Sequence, residues 1–196
     1  MRYDAEHKLR TRERILREAA KAIRAEGPHR VGVAAVMRQA DMTHGGFYAH
    51  FDSKEALIAA AIERMFEDSR RQWLRSTEGR EPAEGLRAFI DYYLSPQHRD
   101  ARRLGCPIPA LAADLPRLRP RCTQAYAAGA RRLIDAMAGH LHALGHGDAG
   151  ALAGSVMSEL VGALSLARGE PDRERSDALL DASRHHIFQR LKLEHS

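Results

Sequence analysis

Apolar residues recur at the spacing of α-helices in almost every segment of this chain, and this periodicity limits the fold more than any other feature. Near the N-terminus, Leu16, Ala19, Ala20 and Ile23 fall at positions i, i+3, i+4 and i+7. The alternation of apolar and polar residues that marks a half-buried strand is absent, and β-branched and aromatic residues are sparse. The sequence therefore predicts an all-α fold.

Glycine and proline punctuation divides the periodic pattern into separate helices. The first predicted helix ends at Gly27-Pro28, and the turn at Asp41-Met42-Thr43 separates the second from the third. Ser53 is a favourable N-cap for a long fourth helix that carries Trp73. The predicted helices cover about residues 9–26, 33–40, 44–50, 53–73, 83–94, 106–115, 118–144, 148–168 and 173–193.

The composition argues against a disulfide-rich, secreted or membrane-spanning protein. Two cysteines in 196 residues are too few for a disulfide scaffold. The N-terminus lacks the apolar stretch of a secretory signal, and we expect no membrane span and a cytoplasmic location. The net charge is +5, and residues 1–30 hold nine Lys or Arg against five Asp or Glu. This basic N-terminus is compatible with a nucleic-acid partner or with a solvated helix face.

The segment 40–57 predicts a helix-turn-helix. A short helix preceded by a tight turn suits the major groove, where its N-terminal residues reach base edges. Thr43 and His44 occupy that N-terminus, and Gly45 and Gly46 allow the backbone to approach the duplex closely. The side chains expected to bind backbone phosphates are those of Tyr48, His50 and Lys54.

This segment resembles the signature of the TetR family of bacterial regulators. The positions that match are Thr43, Gly45, Phe47, Tyr48, His50, Phe51, Ser53, Lys54 and Leu57. Asp41 stands where the family usually has Gly in the turn, and Asp tolerates the left-handed conformation. His44 stands where Lys or Arg is frequent, which alters the expected base preference.

The resemblance implies a homodimer with a DNA-binding head over residues 1–55 and a ligand-binding and dimerisation domain over residues 56–196. Such regulators are commonly repressors that a small-molecule effector releases from a palindromic operator. Their last two helices commonly form a four-helix dimer interface. The apolar residues available for it here, or alternatively for an intramolecular core, are Leu152, Val156, Leu160, Leu164, Leu179, Leu180, Ile187 and Leu191.

The segment Gly105-Cys106-Pro107 resembles a helix start in one branch of these regulators, where the equivalent cysteine in some members senses electrophiles or oxidants. Pro107 suits the first helical position, which places Cys106 at the N-cap, where the helix dipole favours a thiolate. Alternatively, Cys106 is a small buried residue that packs well, and the effector binds reversibly.

We predict an effector chamber whose wall includes aromatic side chains, although such a stripe is also typical of a hydrophobic core. The predicted ligand or sensor residues are Cys106, Trp73, Phe89, Tyr92, Tyr93 and Tyr126, with Met65, Phe66 and Leu111 as further wall residues. The eleven histidines do not form a metal-ligand pattern, and we expect no metal or cofactor. Phosphate-loop and nucleophile-elbow motifs are missing, so we expect no enzymatic activity. The alternatives to a regulator are a helical protein that does not bind DNA and an enzyme that uses the Cys106 thiol as nucleophile.

Overall fold

The computed structural model describes the backbone of residues 2–193 and the side chains of residues 6–193. Met1 and residues 194–196, which the predicted domain ranges include, lie outside the described backbone. The described residues form nine α-helices: α1 (Arg2–Glu26), α2 (Val33–Gln39), α3 (Lys54–Thr77), α4 (Pro82–Tyr93), α5 (Pro96–Asp100), α6 (Pro107–Leu111), α7 (Pro120–Ala143), α8 (Ala149–Gly169) and α9 (Arg173–Leu191). The all-α prediction is confirmed.

The helix bounds follow local signals in the sequence. Four consecutive helices, α4 to α7, begin at a proline, whose fixed φ and missing N–H suit the first helical position. The Ser53 hydroxyl accepts a hydrogen bond from the Ala56 N–H (3.0 Å), as the predicted N-cap of α3 requires.

Several details differ from the predicted elements. Helix α1 begins at Arg2, well before the predicted start at about residue 9. The third short helix, His44–Ala49, is a 3-10 helix, and the Thr43 side chain makes no capping hydrogen bond to it. Helix α6 ends at Leu111, and a separate 3-10 turn follows over Leu115–Arg117. Helix α5 was not predicted, because five residues are too few to show periodicity.

The chain divides into two compact units. Unit 1 consists of residues 1–67 and 106–129, and unit 2 of residues 68–105 and 130–196. Helices α3 and α7 each contribute residues to both units. In unit 1, α1 packs against α2 and against α6. The functional division at residues 55 and 56 is a different boundary and stays a prediction.

Unit 2 is organised around the pairing of α8 with α9, and α4 and α5 pack against this pair. Six of the eight apolar residues predicted to form either a dimer interface or a core are buried within the chain. They are Val156, Leu160, Leu164, Leu180, Ile187 and Leu191. These residues belong to an intramolecular core, so a second subunit would have to meet the opposite faces of the two helices.

Among the described helices, α8 is long and apolar enough to meet the length and composition criteria for a membrane span. A core helix of a globular protein meets the same criteria. Val156, Leu160 and Leu164 of α8 are buried, and the helix packs along α9. Packing against α9 thus accounts for these three apolar residues of α8.

Candidate nucleic-acid interface

The turn before the 3-10 helix has a backbone conformation that the sequence anticipated. Asp41 lies in the left-handed region with φ 55°, a conformation that Asp adopts more readily than most residues. The Met42 N–H then donates to the Met37 carbonyl at 2.8 Å. The chain thereby reverses from α2 into the segment that begins at Thr43.

The predicted base-reading residues lie at the surface of unit 1. Thr43, His44 and Gly45 are exposed, and a Cβ atom at Gly45 would have no heavy atom within 4 Å. Gly46 is half-buried, and a Cβ atom there would lie 3.7 Å from the Met42 Cε. Gly45 therefore presents bare backbone to solvent, whereas Gly46 faces its own unit.

A pair of aromatic rings anchors the 3-10 helix. Phe47 and Phe51 are buried, and their stacked rings lie 5.8 Å apart. The Arg12 guanidinium of α1 sits over the Phe51 ring at 4.8 Å, which adds a cation–π contact. Tyr48, in contrast, is 71% exposed. The short helix is thus held by its phenylalanines while its tyrosine hydroxyl remains accessible.

His50 lies half-buried in a positively charged environment. Burial lowers the pKa of His50, and the charges of Lys8 and Arg12 lower it further. Its Nδ1 atom is buried and has no hydrogen-bond partner among the described residues. Sequence reasoning did not select Lys8 and Arg12 individually, although the excess of basic residues over 1–30 was the signal that contained them.

Lys54 is the first residue of α3 and is exposed. Its Nζ donates to the His29 carbonyl at 3.3 Å, which ties the start of α3 to the loop between α1 and α2. Because amide N–H groups at a helix start favour anions, a cation here reinforces an anion-binding surface. Unit 1 thus exposes four of the predicted DNA-contacting side chains, those of Thr43, His44, Tyr48 and Lys54.

The predicted effector residues fall in two groups, of which the larger lies in unit 2. Trp73 and Phe89 are buried, with ring centroids 4.8 Å apart, and the buried Tyr93 ring lies 5.7 Å from Phe89. The half-buried Tyr92 stacks on His98 at 5.0 Å. These contacts are those of a packed aromatic cluster.

Cys106 and Tyr126 belong to unit 1. Cys106 is the N-cap of α6, as predicted, and it is buried. Tyr126 is half-buried, its ring lies 5.6 Å from that of Phe66, and burial and the neighbouring Cys106 raise the pKa of its phenol. Cys122 is also buried, and burial and Glu55 raise the pKa of its thiol.

No cluster of three or more His, Cys, Asp or Glu side chains with metal-binding geometry occurs within the part of the chain that the structure describes. His185 and His186 lie side by side with ring centroids 5.6 Å apart, and both are exposed.

Two family models match the chain. Residues 15–61 match the model of bacterial regulatory proteins of the tetR family, and residues 82–185 match the C-terminal domain of LmrA/YxaF-like transcriptional regulators. The chain is similar to the HTH-type transcriptional regulator UidR of Escherichia coli strain K12 and of Shigella flexneri, with 39% identity over 82 residues in each case. Each match covers 42% of the length of this chain and only 38% of the length of the relative.

Solved structures with the same fold include the reduced form of E. coli NemR, at a TM-score of 0.80 and 22% identity, covering 91% of this chain and 96% of that one. A TetR transcriptional regulator from Chloroflexus aurantiacus aligns with a TM-score of 0.81 and 22% identity, over 95% and 96% of the two chains. The second family model alone spans more than half of the chain. The chain belongs to the TetR family, which is a family of DNA-binding transcriptional regulators and not of enzymes.

Proposed function

We propose that the protein is a homodimeric repressor that acts in the cytoplasm and binds an imperfect palindrome near its own gene. The observation that carries the operator proposal is the exposure of Thr43, His44 and Tyr48 on a short helix anchored by the buried Phe47 and Phe51. Thr43 and His44 read base edges, while Tyr48, His50 and Lys54 bind phosphates. Two heads in one dimer read paired half-sites.

Footprinting on promoter-proximal DNA tests this function. We expect a protected site with two-fold symmetry, and substitutions at Thr43 or His44 should change which bases are preferred. Substitutions at Tyr48 should weaken binding to all sequences alike, because phosphate contacts carry no base information. The absence of a two-fold protected site would contradict the proposal.

A small-molecule effector relieves repression. An effector can do so only by binding one dimer conformation more tightly than the other, and a coupling of about 1–3 kcal/mol changes operator affinity roughly 5–150-fold. Helix α3 is suited to transmit the signal because it starts at Lys54 in unit 1 and carries Trp73 in unit 2. Screening a compound panel for operator release identifies the effector. A saturating ligand that leaves operator affinity unchanged would contradict this mechanism.

Two chemistries remain for the effector: modification of the Cys106 thiol and reversible binding of an apolar ligand. The N-cap position of Cys106 supports the first, and its burial supports the second. Operator release by a quinone or hypochlorite is compared in wild type, Cys106→Ser and Cys122→Ser. Loss of the response in Cys106→Ser alone indicates thiol chemistry. An unchanged response in Cys106→Ser excludes it and leaves reversible binding.

A further inference from the structure

A cleft lined by arginines lies in unit 2, where the C-terminal end of α8 meets α5 and the N-terminal end of α9. Its volume is about 390 Å³, which falls in the usual range of small-molecule sites. The described residues that line this arginine cleft are Arg99, Asp100, Arg102, Ala167, Arg168, Glu170, Arg173 and Ser176. It includes none of the effector residues predicted from the sequence.

Part of the cleft is a fixed ionic network. Arg99 is only 5% exposed, and its guanidinium contacts Asp100 (3.0 and 3.3 Å), the Ser176 hydroxyl (2.7 Å) and Asp177. Arg173 donates to both carboxylate oxygens of Asp100, at 2.9 and 2.8 Å. The hydrogen bonds from Arg99 and Arg173 hold the pKa of Asp100 below its ordinary value. One carboxylate is therefore shared between two guanidinium groups.

Arg168 is also held in place. Its Nε and Nη2 atoms donate to the carbonyls of Arg99 and His98 at 3.1 Å each. A Cβ atom on Gly105 would lie 2.8 Å from the Arg168 Nη2, so this position has to be glycine for Arg168 to sit as it does. The guanidinium is thus preorganised at the wall of the cleft.

Arg102, the fourth arginine of the cleft, is not held by contacts of its side chain within the described part of the chain. The Arg102 side chain is exposed and makes no hydrogen bond or ion pair with another described residue. Among the described lining residues, four arginines face two carboxylates, those of Asp100 and Glu170. Even with Asp177 counted from outside the lining, positive charge remains in excess. The planar fork of guanidinium donors matches carboxylate and phosphate oxygens.

We propose that the arginine cleft binds a small organic anion through a carboxylate or phosphate group held by Arg102 and Arg173. Arg168 adds a fixed positive charge at the wall, and Arg99 and Asp100 fix the position of Arg173. This inference goes beyond the proposed function, because it adds a ligand site that involves neither Cys106 nor the aromatic cluster and it is tested without DNA.

The experiment measures the binding of citrate and of inorganic phosphate to the full chain by calorimetry, at constant ionic strength in chloride buffer. We expect one saturable site per chain for at least one of the two anions. Arg102→Gln and Arg173→Gln should each weaken it by roughly tenfold or more, since each removes a charge-assisted hydrogen-bond donor. A preference for citrate indicates a carboxylate ligand, and a preference for phosphate a phosphorylated one.

Arg175→Gln is the matched control, because Arg175 is exposed near the same end of α9 but does not line the cleft. It removes the same charge and should leave the affinity unchanged. Absence of saturable binding, or an equal loss in Arg175→Gln, would overturn the proposal. Thermal unfolding of each variant without anion separates binding from folding. Because the Arg102 side chain has no partner among the described residues, Arg102→Gln should leave the unfolding temperature unchanged. A loss of affinity in Arg102→Gln accompanied by a lower unfolding temperature would show that this arginine is structural and would also overturn the proposal.

Discussion

At the scale of single residues, substitution of an exposed side chain mainly affects binding, whereas substitution of a buried one mainly affects stability. Lys54 and Tyr48 are exposed and contribute little to the core, so their substitution is expected to change binding more than stability. His98 is 2% exposed, and its substitution or protonation acts on stability.

Lys54→Ala should weaken binding to all DNA sequences and flatten the slope of log affinity against log salt by about one unit, because one phosphate contact is lost. Operator binding is titrated at several salt concentrations. Arg131→Ala removes an equal charge from an exposed position on α7 in unit 2 and should leave the slope unchanged. An identical effect of both substitutions would mean that Lys54 acts only through net charge.

His98 makes the folded chain sensitive to acid. The pKa of His98 is lowered to about 4, chiefly by burial; the hydrogen bond between its Nδ1 and the Tyr93 carbonyl (2.8 Å) opposes the shift, and the nearby Arg168 contributes to it. Between its ordinary pKa of about 6.5 and pH 4, the unfolded chain binds a proton that the folded chain resists. The free energy of unfolding therefore decreases as the pH is lowered through that window, by up to about 3 kcal/mol.

Urea unfolding at about pH 7.5 and about pH 5 measures this loss. In His98→Asn, which retains a donor for the Tyr93 carbonyl, the difference between the two pH values should shrink by about 2 kcal/mol. His142→Asn, at an exposed position of α7, should keep the wild-type difference. An unchanged difference in His98→Asn would assign the acid sensitivity to other groups.

At the scale of elements, α7 offers two glycines in opposite surroundings. A Cβ atom at Gly129 would overlap the Phe66 ring of α3, whereas one at Gly139 would have no heavy atom within 4 Å. Periodicity alone does not distinguish them, because both lie within one helix. The difference arises from the partner that each position meets.

Gly129→Ala should destabilise the protein by about 1–3 kcal/mol through overpacking against Phe66. Gly139→Ala should stabilise it by about 0.5–1 kcal/mol, because alanine has the higher helix propensity and nothing obstructs the methyl group. Chemical denaturation measures both. A gain in stability at Gly129 would contradict the close contact.

At the scale of the whole molecule, the α8–α9 pair separates an inner face from an outer one. Since Val156 and Ile187 are buried within the chain, a dimer would have to use the outer face, where Leu166 is 64% exposed and the Cβ positions of Gly154 and Gly162 are unobstructed. Small residues on that face allow a second helix to approach closely.

Leu166→Glu should therefore dissociate the proposed dimer, because it places a charge in the proposed interface. Light scattering coupled to size exclusion measures the mass, and operator affinity should fall by roughly a hundredfold because half-site binding loses its avidity. Leu104→Glu is the control, since Leu104 is equally exposed, at 64%, but lies outside α8 and α9. A dimer that persists in Leu166→Glu would place the interface elsewhere.

The sequence by itself determined the helical class, most helix bounds, the left-handed turn at Asp41 and the helix-turn-helix segment, because periodicity, capping and turn chemistry act between residues close in the chain. The tertiary structure decided which faces of α8 and α9 are buried, and it assigned Cys106 and Trp73 to different compact units. It also formed the arginine cleft, in which Arg99 meets Ser176 across 77 positions of sequence. Such contacts depend on how helices pack, and a local pattern holds no information about a partner that distant.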